Sequence, residues 1–410
     1  MSMEYYRLDF QARDLLYFGN GIQAGGATLG TGAAWPLPSV ANSAIINAMH
    51  CELEEDVADI ESKHTHLTQE EIARKKNVRF SFGGTRTLGP FPTKDGEIFV
   101  PTPTDLQFTS EGNASYMAVI DMAENNNLPN PLTHLVASSI PPSKTQSGNW
   151  ISLGELRKYL NGEECVRTVG NADFYMSERR TGIAIGQETQ SAVKSQIYSA
   201  EYLRLLPGVS MCVYAAYEAS SWQGKNKKDI MAVAKEKDVF RGIVMGGQSG
   251  VAMLSSMDGG NFPLPTSRAS LRIKWILLSP ACFLAGWRPG FVDEATGDVR
   301  LKQEVERGNM PREQWRQALR QAPDIQAKLV AARIPKYIVA SGWKANGTSS
   351  GQAKATRRLV PAGSVFYFEC SDMKNAEMLV RALHGRTHSD ECGEQGFGFG
   401  VCGNWDKQNL

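Results

Sequence analysis

The sequence predicts an α+β fold built from two ferredoxin-like βαββαβ units, the arrangement that RNA-recognition motifs also use. Three observations lead to this prediction. Strand and helix patterns alternate at both ends of the chain, hairpin patterns lie between them, and 410 residues are too many for one small core. The composition, 42% hydrophobic and 21% charged, is that of a globular protein, and no apolar run reaches the length of a membrane span.

The first unit is predicted to open with a strand, a glycine-rich loop and a helix. Residues 5–18 favour extended structure, and residues 19–32 contain six glycines. Ser39 follows a proline and is predicted to be the N-cap of a helix, because apolar residues recur at helical spacing over 40–49. Residues 52–76 are polar and rich in acids, which indicates an exposed insertion.

Hairpins and short helices are predicted for the middle of the chain. Two prolines make residues 99–105 extended, and residues 150–162 form a helix that ends at a glycine. The pattern over 178–217 suits a long hairpin with a polar centre and apolar flanks. Residues 227–240 indicate a helix within an insertion, and residues 240–254 indicate two strands joined by a Gly-Gly turn.

The second unit is predicted to be strand-rich from residues 272–290 onward. A helical insertion is predicted over 311–333, and residues 364–370 read as a buried strand. Asp372 then caps a helix over 373–384 that a glycine ends. The end of the chain is therefore predicted to be strand, helix and glycine-rich strand.

The stretch GFGFGVCGNW (396–405) contains the dinucleotide-binding pattern G-x-G-x-x-G between Gly398 and Gly403. That pattern needs a preceding strand, a following helix and an acid about twenty residues further on. Only seven residues follow Gly403 in this sequence, so a dinucleotide site is excluded. Phe397 and Phe399 alternate with glycine, and we expect them to pack in the core, against the helix over 373–384, rather than to stack on bases.

The formal net charge of +1 does not indicate a partner, but basic residues are clustered. A stripe at i, i+4 and i+8 of the predicted insertion helix consists of Arg312, Arg316 and Arg320. An acid-free segment rich in glycine, serine and threonine carries Lys344, Lys354, Arg357 and Arg358. Such a segment can order on a phosphate backbone. The seven scattered cysteines, without a secretion signal, are expected to be reduced cytosolic thiols.

Two catalytic interpretations of the sequence remain weak. His384, His388, Cys392 and Cys402 are metal-ligand types, but their spacing matches no zinc signature. His50, just after the first predicted helix, is the second candidate, because histidine is the commonest general base. It follows an apolar helix pattern, however, so capping of that helix end is the favoured role. We therefore expect no metal, no cofactor and no catalytic residue.

Nine stretches in a fixed order resemble the RAMP family of Cas-five-like CRISPR subunits, in the form that binds the CRISPR RNA 5′ handle in type III-B Cmr effectors. They are RDLLYFGNG (13–21), WPLPSVANSAI (35–45), FVPTPTDL (99–106), ERRTGIAI with SQIYSAEYLR (178–204), GIVMGGQSG (242–250), LLSPACFLAGWRPG (277–290), VASGWKA (339–345), VPAGSVFYFE (360–369) and GFGFGVCGNW. The sequence departs from the family at Leu15, where proline is usual, and at Gln248 and Ser249, where an acid and an arginine are usual.

The resemblance implies that both units are RAMP units and that the hairpin over about 178–201 is a thumb resting on RNA. It also implies that the glycine-rich end lies against RNA, which the backbone of glycine can approach closely. The residues so predicted to bind RNA are Arg13, Ser39, Asn42, Arg179, Arg180, Gln187, Thr189, Gly246, Gly247, Lys344, Arg357, Arg358, Gly396, Gly398 and Gly400.

The resemblance implies a cytoplasmic, non-catalytic subunit with an N-terminal domain over 1–262 and a C-terminal domain over 263–410. Its expected partners are the CRISPR RNA 5′ handle, a repeating backbone RAMP subunit and a large polymerase- or cyclase-like subunit, with no membrane. Two alternatives remain open. One is a metal-independent endoribonuclease that processes CRISPR precursor RNA, and the other is the equivalent subunit of a type III-A complex.

Overall fold

The computed structural model describes residues 4–19, 29–31, 34–61, 82, 84–109, 114–122, 127–138, 140, 148–163, 167–186, 188, 190–217, 229–344, 352–353 and 355–406. The α-helices within these ranges are α1 (Pro38–Glu61), α2 (Leu153–Leu160), α3 (Ile230–Glu236), α4 (Arg312–Gln321) and α5 (Met373–Leu383). Short 3-10 turns occur at Asn171–Asp173 and Gly393–Gln395. Within the same ranges, no helix combines the length and the apolar character that crossing a bilayer requires.

The strands of the first two thirds of the chain are β1 (Tyr6–Ala12), β2 (Leu29–Thr31), β3 (Thr85–Lys94), β4 (Glu97–Pro101), β5 (Leu106–Phe108), β6 (Ala114–Tyr116), β7 (Ala118–Asp121), β8 (His134–Ala137), β9 (Trp150–Ser152), β10 (Tyr175–Ile185), β11 (Ala192–Leu205), β12 (Val209–Tyr217), β13 (Gly242–Val244) and β14 (Val251–Gly259). The remaining strands are β15 (Arg272–Leu277), β16 (Ala327–Arg333), β17 (Ile338–Ala340), β18 (Trp343–Lys344), β19 (Gln352–Ala353), β20 (Arg357–Leu359), β21 (Val365–Cys370), β22 (Arg386–Thr387) and β23 (Phe399–Asn404).

The first sheet has the antiparallel order β13-β14-β1-β12-β3-β4-β9. Side chains of a strand alternate between the two faces, so each strand offers one row of apolar residues to each side. On one face Phe10 and Met211 pack with Ile45 of α1 and Met231 of α3. Helices α1 and α3 therefore cover the same face of this sheet. Along the chain, α1 comes after β1, and α3 comes before β14.

The second sheet has the antiparallel order β16-β21-β15-β23-β22. Helix α5 covers one of its faces, where Leu379 and Leu383 pack in one cluster with Trp275 and Phe366. Asp372 caps this helix as the sequence predicts, because its side chain accepts a hydrogen bond from the Asn375 N–H.

The faces of the two sheets that α1, α3 and α5 leave uncovered contribute to one buried cluster, together with Leu156 and Tyr159 of α2. The Phe91 ring of β3 lies 6.2 Å from the Phe399 ring of β23, and Phe262 lies 5.2 Å from each of them. Burying a side chain of this size is worth about 1.5–3 kcal/mol. In RNA-recognition motifs the corresponding face stacks on bases. Here it is a core over β3 and β12, so the comparison with base-stacking sheets does not extend to this face.

A buried ion pair joins the FVPTPTDL stretch to the second sheet. Asp105 is 2% exposed and accepts hydrogen bonds from the Tyr159 hydroxyl at 2.6 Å and the Tyr367 hydroxyl at 2.8 Å. The ammonium of Lys274, which is 5% exposed, lies 3.4 Å from the Asp105 carboxylate and 3.8 Å from the centre of the Tyr159 ring. No pattern in the sequence predicted this cluster.

The mixed α/β class, the mainly antiparallel sheets and the long hairpin of β10 and β11 agree with the sequence predictions. Several element predictions were wrong. Helix α1 begins at Pro38, a residue suited to the first helical position, so Ser39 lies inside the first turn and is not the N-cap. The helix continues to Glu61, so residues 52–61 of the predicted insertion belong to α1, and residues 62–76 lie outside the described residues.

Two predicted insertion helices also differ in the structure. Helix α3 is part of the first core rather than of an insertion, because Ile230, Met231 and Ala234 are buried there. The helix predicted over 311–333 ends at Gln321. Its second half contains strand β16, which is buried over Leu329–Ala331 and pairs with β21.

Candidate nucleic-acid interface

Three separate chain segments meet where the β10–β11 hairpin leaves the first sheet, a region we call the thumb base. The Leu16 N–H donates to the Leu203 carbonyl at 2.9 Å, and the Leu203 N–H donates back at 2.8 Å. The Gly247 N–H donates to the Tyr17 carbonyl at 2.8 Å, and the Arg13 N–H donates to the Val251 carbonyl at 3.0 Å. Three stretches quoted for the resemblance are thus in contact here: residues 13–21, the hairpin and the Gly-Gly turn.

Glycine is required at one position of the Gly-Gly turn. Gly246 has a φ of +85°, and a Cβ there would lie 2.5 Å from the Tyr17 carbonyl oxygen. Gln248 and Ser249 follow with φ values of 57° and 56°, so this turn holds consecutive left-handed residues. Gly246, Gly247, Gln248 and Ser249 are all exposed. The backbone at Tyr17 therefore packs against one side of the Gly-Gly turn, and the other side of the turn is exposed to solvent.

Charges at the thumb base are only partly compensated. Glu178 binds the Arg204 guanidinium at 2.7 Å and the Arg180 guanidinium at 2.9 Å, and these hydrogen bonds lower the pKa of its carboxyl. Asp14 lies 3.3 Å from Arg204 and 3.8 Å from Arg180. Arg180, predicted to bind RNA, is therefore held in an ion-pair network. Such exposed pairs contribute little to stability but fix the direction of the guanidinium groups.

Arg13 and Arg179 are exposed, and within the described ranges neither has a carboxylate within ion-pair distance. The Tyr17 and Tyr202 rings lie 5.5 Å apart, each half-buried, and Tyr202 is opposite Glu178 on the face of the hairpin that the Arg179 side chain does not share. Guanidinium groups without counter-charges attract phosphates, and tyrosine faces can stack on bases. The thumb base thus combines both kinds of contact that a single-stranded nucleic acid uses.

The glycine-rich end has an internal role, which corrects the prediction that its backbone faces RNA. Gly396, Gly398 and Gly400 are all buried. The Gly396 N–H donates to the Gly393 carbonyl at 3.0 Å, and the Gly398 N–H donates to the Pro280 carbonyl at 2.8 Å. Gly400 pairs with strands on both sides. Their amides are therefore used inside the protein, and none faces solvent for a phosphate.

Close packing explains why these three positions are glycine. A Cβ on Gly396 would lie 2.5 Å from the Thr87 carbonyl oxygen, and one on Gly398 would overlap the His388 carbonyl. Gly396 and Gly398 also have φ values of +94° and +71°. Both phenylalanines are buried, as predicted, but not against the helix over 373–384. Phe397 packs in a small cluster with Cys282 and Leu359, whereas Phe399 lies between the sheets.

Asn42 is 4% exposed, so it belongs to the interior rather than to a surface for RNA. Its side-chain amide donates to the Thr87 hydroxyl at 3.2 Å, and that hydroxyl donates to the Gln395 carbonyl at 3.0 Å. This chain of hydrogen bonds joins α1, β3 and the glycine-rich end. Ser39, three residues earlier on α1, is half-buried.

The basic residues of the second unit have partners of their own. Arg357 lies on β20, binds the Glu391 carboxylate at 2.9 Å and donates to the Cys392 sulfur at 3.3 Å. The Arg358 guanidinium lies 4.9 Å from the centre of the Tyr337 ring. Lys344 is in β18, and Gln187, Thr189 and Lys354 lie outside the described residues. Arg357 and Arg358 thus lie together on the short strand β20, and among the described residues Arg357 has a carboxylate within ion-pair distance whereas Arg358 does not.

The histidines considered for catalysis or metal binding are engaged elsewhere. His50 is 7% exposed, lies inside α1 and packs edge-on against Phe82 at 4.9 Å. The prediction that it caps a helix end was wrong, because α1 continues for eleven residues beyond it. His384 accepts a hydrogen bond from the Cys402 N–H, and a ring nitrogen of His388 lies 2.7 Å from the Ala382 carbonyl. Burial lowers the pKa of both His384 and His388.

The described part of the chain holds no cluster of three or more histidine, cysteine or acidic side chains arranged for a metal ion. A cavity of about 580 Å³ lies beside β16 and is lined by Asp293, Asp298, Asp324 and Lys328 among others. Those acids already bind neighbouring basic side chains, since Lys328 lies 3.7 Å from Asp298 and Lys302 lies 2.9 Å from Asp324. The thumb base therefore remains the best candidate site.

Sequence reasoning missed the residues that organise the thumb base. Tyr17, Tyr202 and Arg204 were inside stretches quoted for the resemblance, but no role was given to them. Glu178 is an exception, because the sequence offered pairing of Arg179 and Arg180 with Glu178 and Glu201 as the alternative to RNA contact, and Arg180 does bind Glu178 at 2.9 Å. Asp14 was given no role. The signal that could have found them is the exact cross-strand register, which places Glu178 opposite Tyr202 and next to Arg204 in space. That register is not readable from one sequence.

Comparison with known proteins identifies a family. The family model described as "CRISPR-associated protein (Cas_Cmr3)" matches residues 10–405. No curated protein matches the chain. A chain of a type III-B Cmr-beta complex bound to cognate target RNA and AMPPnP is 13% identical, over 88% of this chain and 86% of that chain, with a TM-score of 0.41. A chain of a Csm1–Csm4 cassette in complex with pppApA is 11% identical, over 88% and 98%, with a TM-score of 0.32. At these values the two structures carry no argument about function, whereas the family match spans nearly the whole chain.

Proposed function

The chain belongs to the CRISPR-associated Cas_Cmr3 family, and we propose on that premise that it is a non-catalytic RNA-binding subunit of a type III-B CRISPR effector. It holds the repeat-derived 5′ handle of the CRISPR RNA and caps one end of the backbone filament. Its partners are the repeating backbone RAMP subunit and the large polymerase- or cyclase-like subunit. The family match favours type III-B over the equivalent type III-A subunit.

One observation carries the assignment of RNA binding to a particular surface. Arg13 and Arg179 lie at the thumb base with the tyrosine pair of Tyr17 and Tyr202 and the Gly-Gly turn. Both arginines are exposed, and no described carboxylate lies within ion-pair distance of either. A constant handle sequence is bound through phosphates and splayed bases, which need guanidinium groups and aromatic faces together. We propose further contacts with the handle RNA by Ser39, Lys344, Arg358, Gln187 and Thr189.

The strand orders support two ferredoxin-like units, proposed here with a boundary near residues 262 and 263. In the first, β1, α1, β3, β12, α3 and β14 follow one another along the chain, and their strands lie in the order β14-β1-β12-β3. In the second, β15, β16, β21, α5 and β23 give the order β16-β21-β15-β23. A βαββαβ unit places its strands in this same 4-1-3-2 arrangement, and the hairpin of β10 and β11 is then inserted before β12.

The endoribonuclease alternative is disfavoured by the position of its candidate base. A general base must lie within hydrogen-bond reach of the proton that it removes. His50 is buried inside α1 against Phe82, so substrate does not reach it without movement of the helix. We therefore expect that the purified chain does not cleave repeat RNA. Cleavage that His50→Ala abolishes would replace our proposal with the endoribonuclease.

Salt titration of handle binding by the assembled complex tests the proposed surface. Arg13→Gln with Arg179→Gln removes two phosphate contacts, so the slope of log affinity against log salt should fall by about 1.4. The matched control is Lys374→Gln with Arg381→Gln, which removes two exposed positive charges from α5. The control should keep the wild-type slope. Equal slopes for both double variants would remove the thumb base from the RNA path.

A further inference from the structure

Helix α4 presents a row of arginines that the proposed handle site does not use. Arg312, Arg316 and Arg320 are all exposed, and none has a carboxylate within ion-pair distance among the described residues. They are spaced four residues apart, so they lie on one side of the helix with about 6 Å between successive positions along its axis. The helix contains one acid, Glu313, in its first turn.

The packing of the apolar side of α4 leaves the three arginine side chains exposed to solvent. The indole N–H of Trp315 donates to the Val305 carbonyl at 2.8 Å, and Ala318 and Leu319 are half-buried on the same side. Directly after the helix, Ala322 and Ile325 are buried. The apolar side of α4 is thus fixed on the second unit, and the arginine side faces solvent.

The charge of the row contrasts with that of other basic residues in the same part of the chain. Arg300 binds Asp293, Lys302 binds Asp324 at 2.9 Å, and Lys328 lies 3.7 Å from Asp298. Each of these three exposed cations is thus paired with a carboxylate of this chain. The arginines of α4 have no such carboxylate among the described residues, so a partner bound to this side of α4 would contact three positive charges in a row.

We propose that the arginine row of α4 binds the phosphate backbone of an RNA segment other than the one at the thumb base. All three residues are arginine, whose planar guanidinium group matches phosphate with two parallel hydrogen bonds. Their separation along the axis is comparable to that of neighbouring phosphates on an extended strand. Gln317 and Gln321 follow two of the arginines and add amide donors at the edge of the row. The proposal goes beyond handle binding, because α4 is on the second unit and the thumb base is on the first.

Two RNA ligands separate this proposal from the proposed function. The first is a labelled handle alone, and the second is the handle followed by a guide-length single strand. Both are titrated with salt against the assembled complex. Changing all three arginines to Gln should lower the slope of log affinity against log salt by about 2 for the long RNA only. The thumb-base variant Arg13→Gln with Arg179→Gln should lower it for both ligands.

Two further variants make the result specific. Changing the three arginines to Lys keeps the charge and should keep most of the slope. Changing Lys374, Arg381 and Arg386 to Gln removes three exposed charges from the same unit and should leave both slopes unchanged. Circular dichroism of the variants checks that α4 remains folded; if the triple Gln variant unfolds, single Arg→Gln variants, each expected to lower the slope by about 0.7, take its place.

Four outcomes would overturn the inference. Unchanged slopes in the triple Gln variant would make the row ordinary solvated surface. A lowered slope with the handle alone would make the row part of the handle site. Loss of a neighbouring subunit during purification, with unchanged RNA slopes, would assign the row to an acidic protein surface. If the long RNA fails to bind even the wild-type complex, both this inference and the proposed function are wrong.

Discussion

Gly400 shows how a missing side chain determines the packing of the second sheet. It lies on β23 between β15 and β22, and a Cβ there would overlap the Trp275 indole and lie 2.7 Å from the Ile276 carbonyl oxygen. Trp275 is fully buried among the side chains below α5. The backbone of β23 can therefore approach this large ring only at a residue without a side chain.

We expect Gly400→Ala to lower the free energy of unfolding by about 1–3 kcal/mol, because Trp275 must move to accept the methyl group. Thermal unfolding measures this loss. Gly154→Ala is the control, since its Cβ would meet only the Ser152 hydroxyl at 3.5 Å in helix α2, and alanine favours a helix. A Gly400→Ala protein with normal stability but weakened RNA binding would restore the original prediction that this glycine faces RNA.

Asp105 is expected to be indispensable because Lys274 is buried beside it. Asp105→Asn leaves an uncompensated buried ammonium and should reduce the free energy of unfolding by about 3–5 kcal/mol at neutral pH. Denaturant titration measures the loss. In the double variant Asp105→Asn with Lys274→Met the unpaired charge is absent, and most of the stability should return. A double variant as unstable as Asp105→Asn alone would show that the tyrosine hydrogen bonds dominate.

The same pair gives a pH dependence with a definite sign. Burial lowers the pKa of Lys274 below its ordinary value of 10.5, so the folded chain releases that proton more readily than the unfolded chain. Wherever the unfolded state binds more protons, stability rises with pH. The loss caused by Asp105→Asn should therefore shrink as the pH is raised from neutral toward the ordinary lysine pKa. A loss that grows over this range would contradict the assignment.

At the scale of elements, the thumb is expected to be separable from the fold. Residues 182–198 can be replaced by Asn-Gly between Thr181 and Ser199, whose hydroxyls lie 3.1 Å apart on adjacent strands. Tyr175 and Leu203 remain in place near the core, so the melting temperature should change by only a few degrees. Handle binding by the assembled complex should weaken. A large loss of stability, or unchanged binding, would show that the outer hairpin is structural or unused.

The elements differ in how well the sequence predicted them. The helix of α5 and the β10–β11 hairpin were predictable, because a cap, a glycine stop and alternating residues are local signals. The start of α1 was not, because Pro38 and Ser39 both suit a helix start and only the fold selects between them. The role of the glycine-rich end depends on Thr87, Trp275 and His388 from three distant segments, and no local pattern contains that information.

At the scale of the whole molecule, the shared core between the sheets predicts a single cooperative unfolding transition. Phe91 and Phe399 belong to different sheets but to one buried cluster. Phe399→Ala should remove about 3–5 kcal/mol and lower one calorimetric peak without splitting it. A fragment of residues 1–262 should expose Phe91 and Phe262 and bind a hydrophobic dye. Two separate peaks in the intact chain, or a well-folded fragment, would show that the units are independent.

The route of strand β11 into the core has a mechanical consequence. Its 14 residues extend about 46 Å at about 3.3 Å per residue, and only three residues separate it from the central strand β12. Two fastenings hold its inner end, the Leu16–Leu203 hydrogen bonds and the Leu206 N–H to the Phe174 carbonyl at 2.9 Å. The hairpin is thus a long element that is held rigidly at its inner end, between Leu203 and Leu206, by backbone hydrogen bonds. A sideways load on its tip would be transmitted directly to the middle strand of the first sheet.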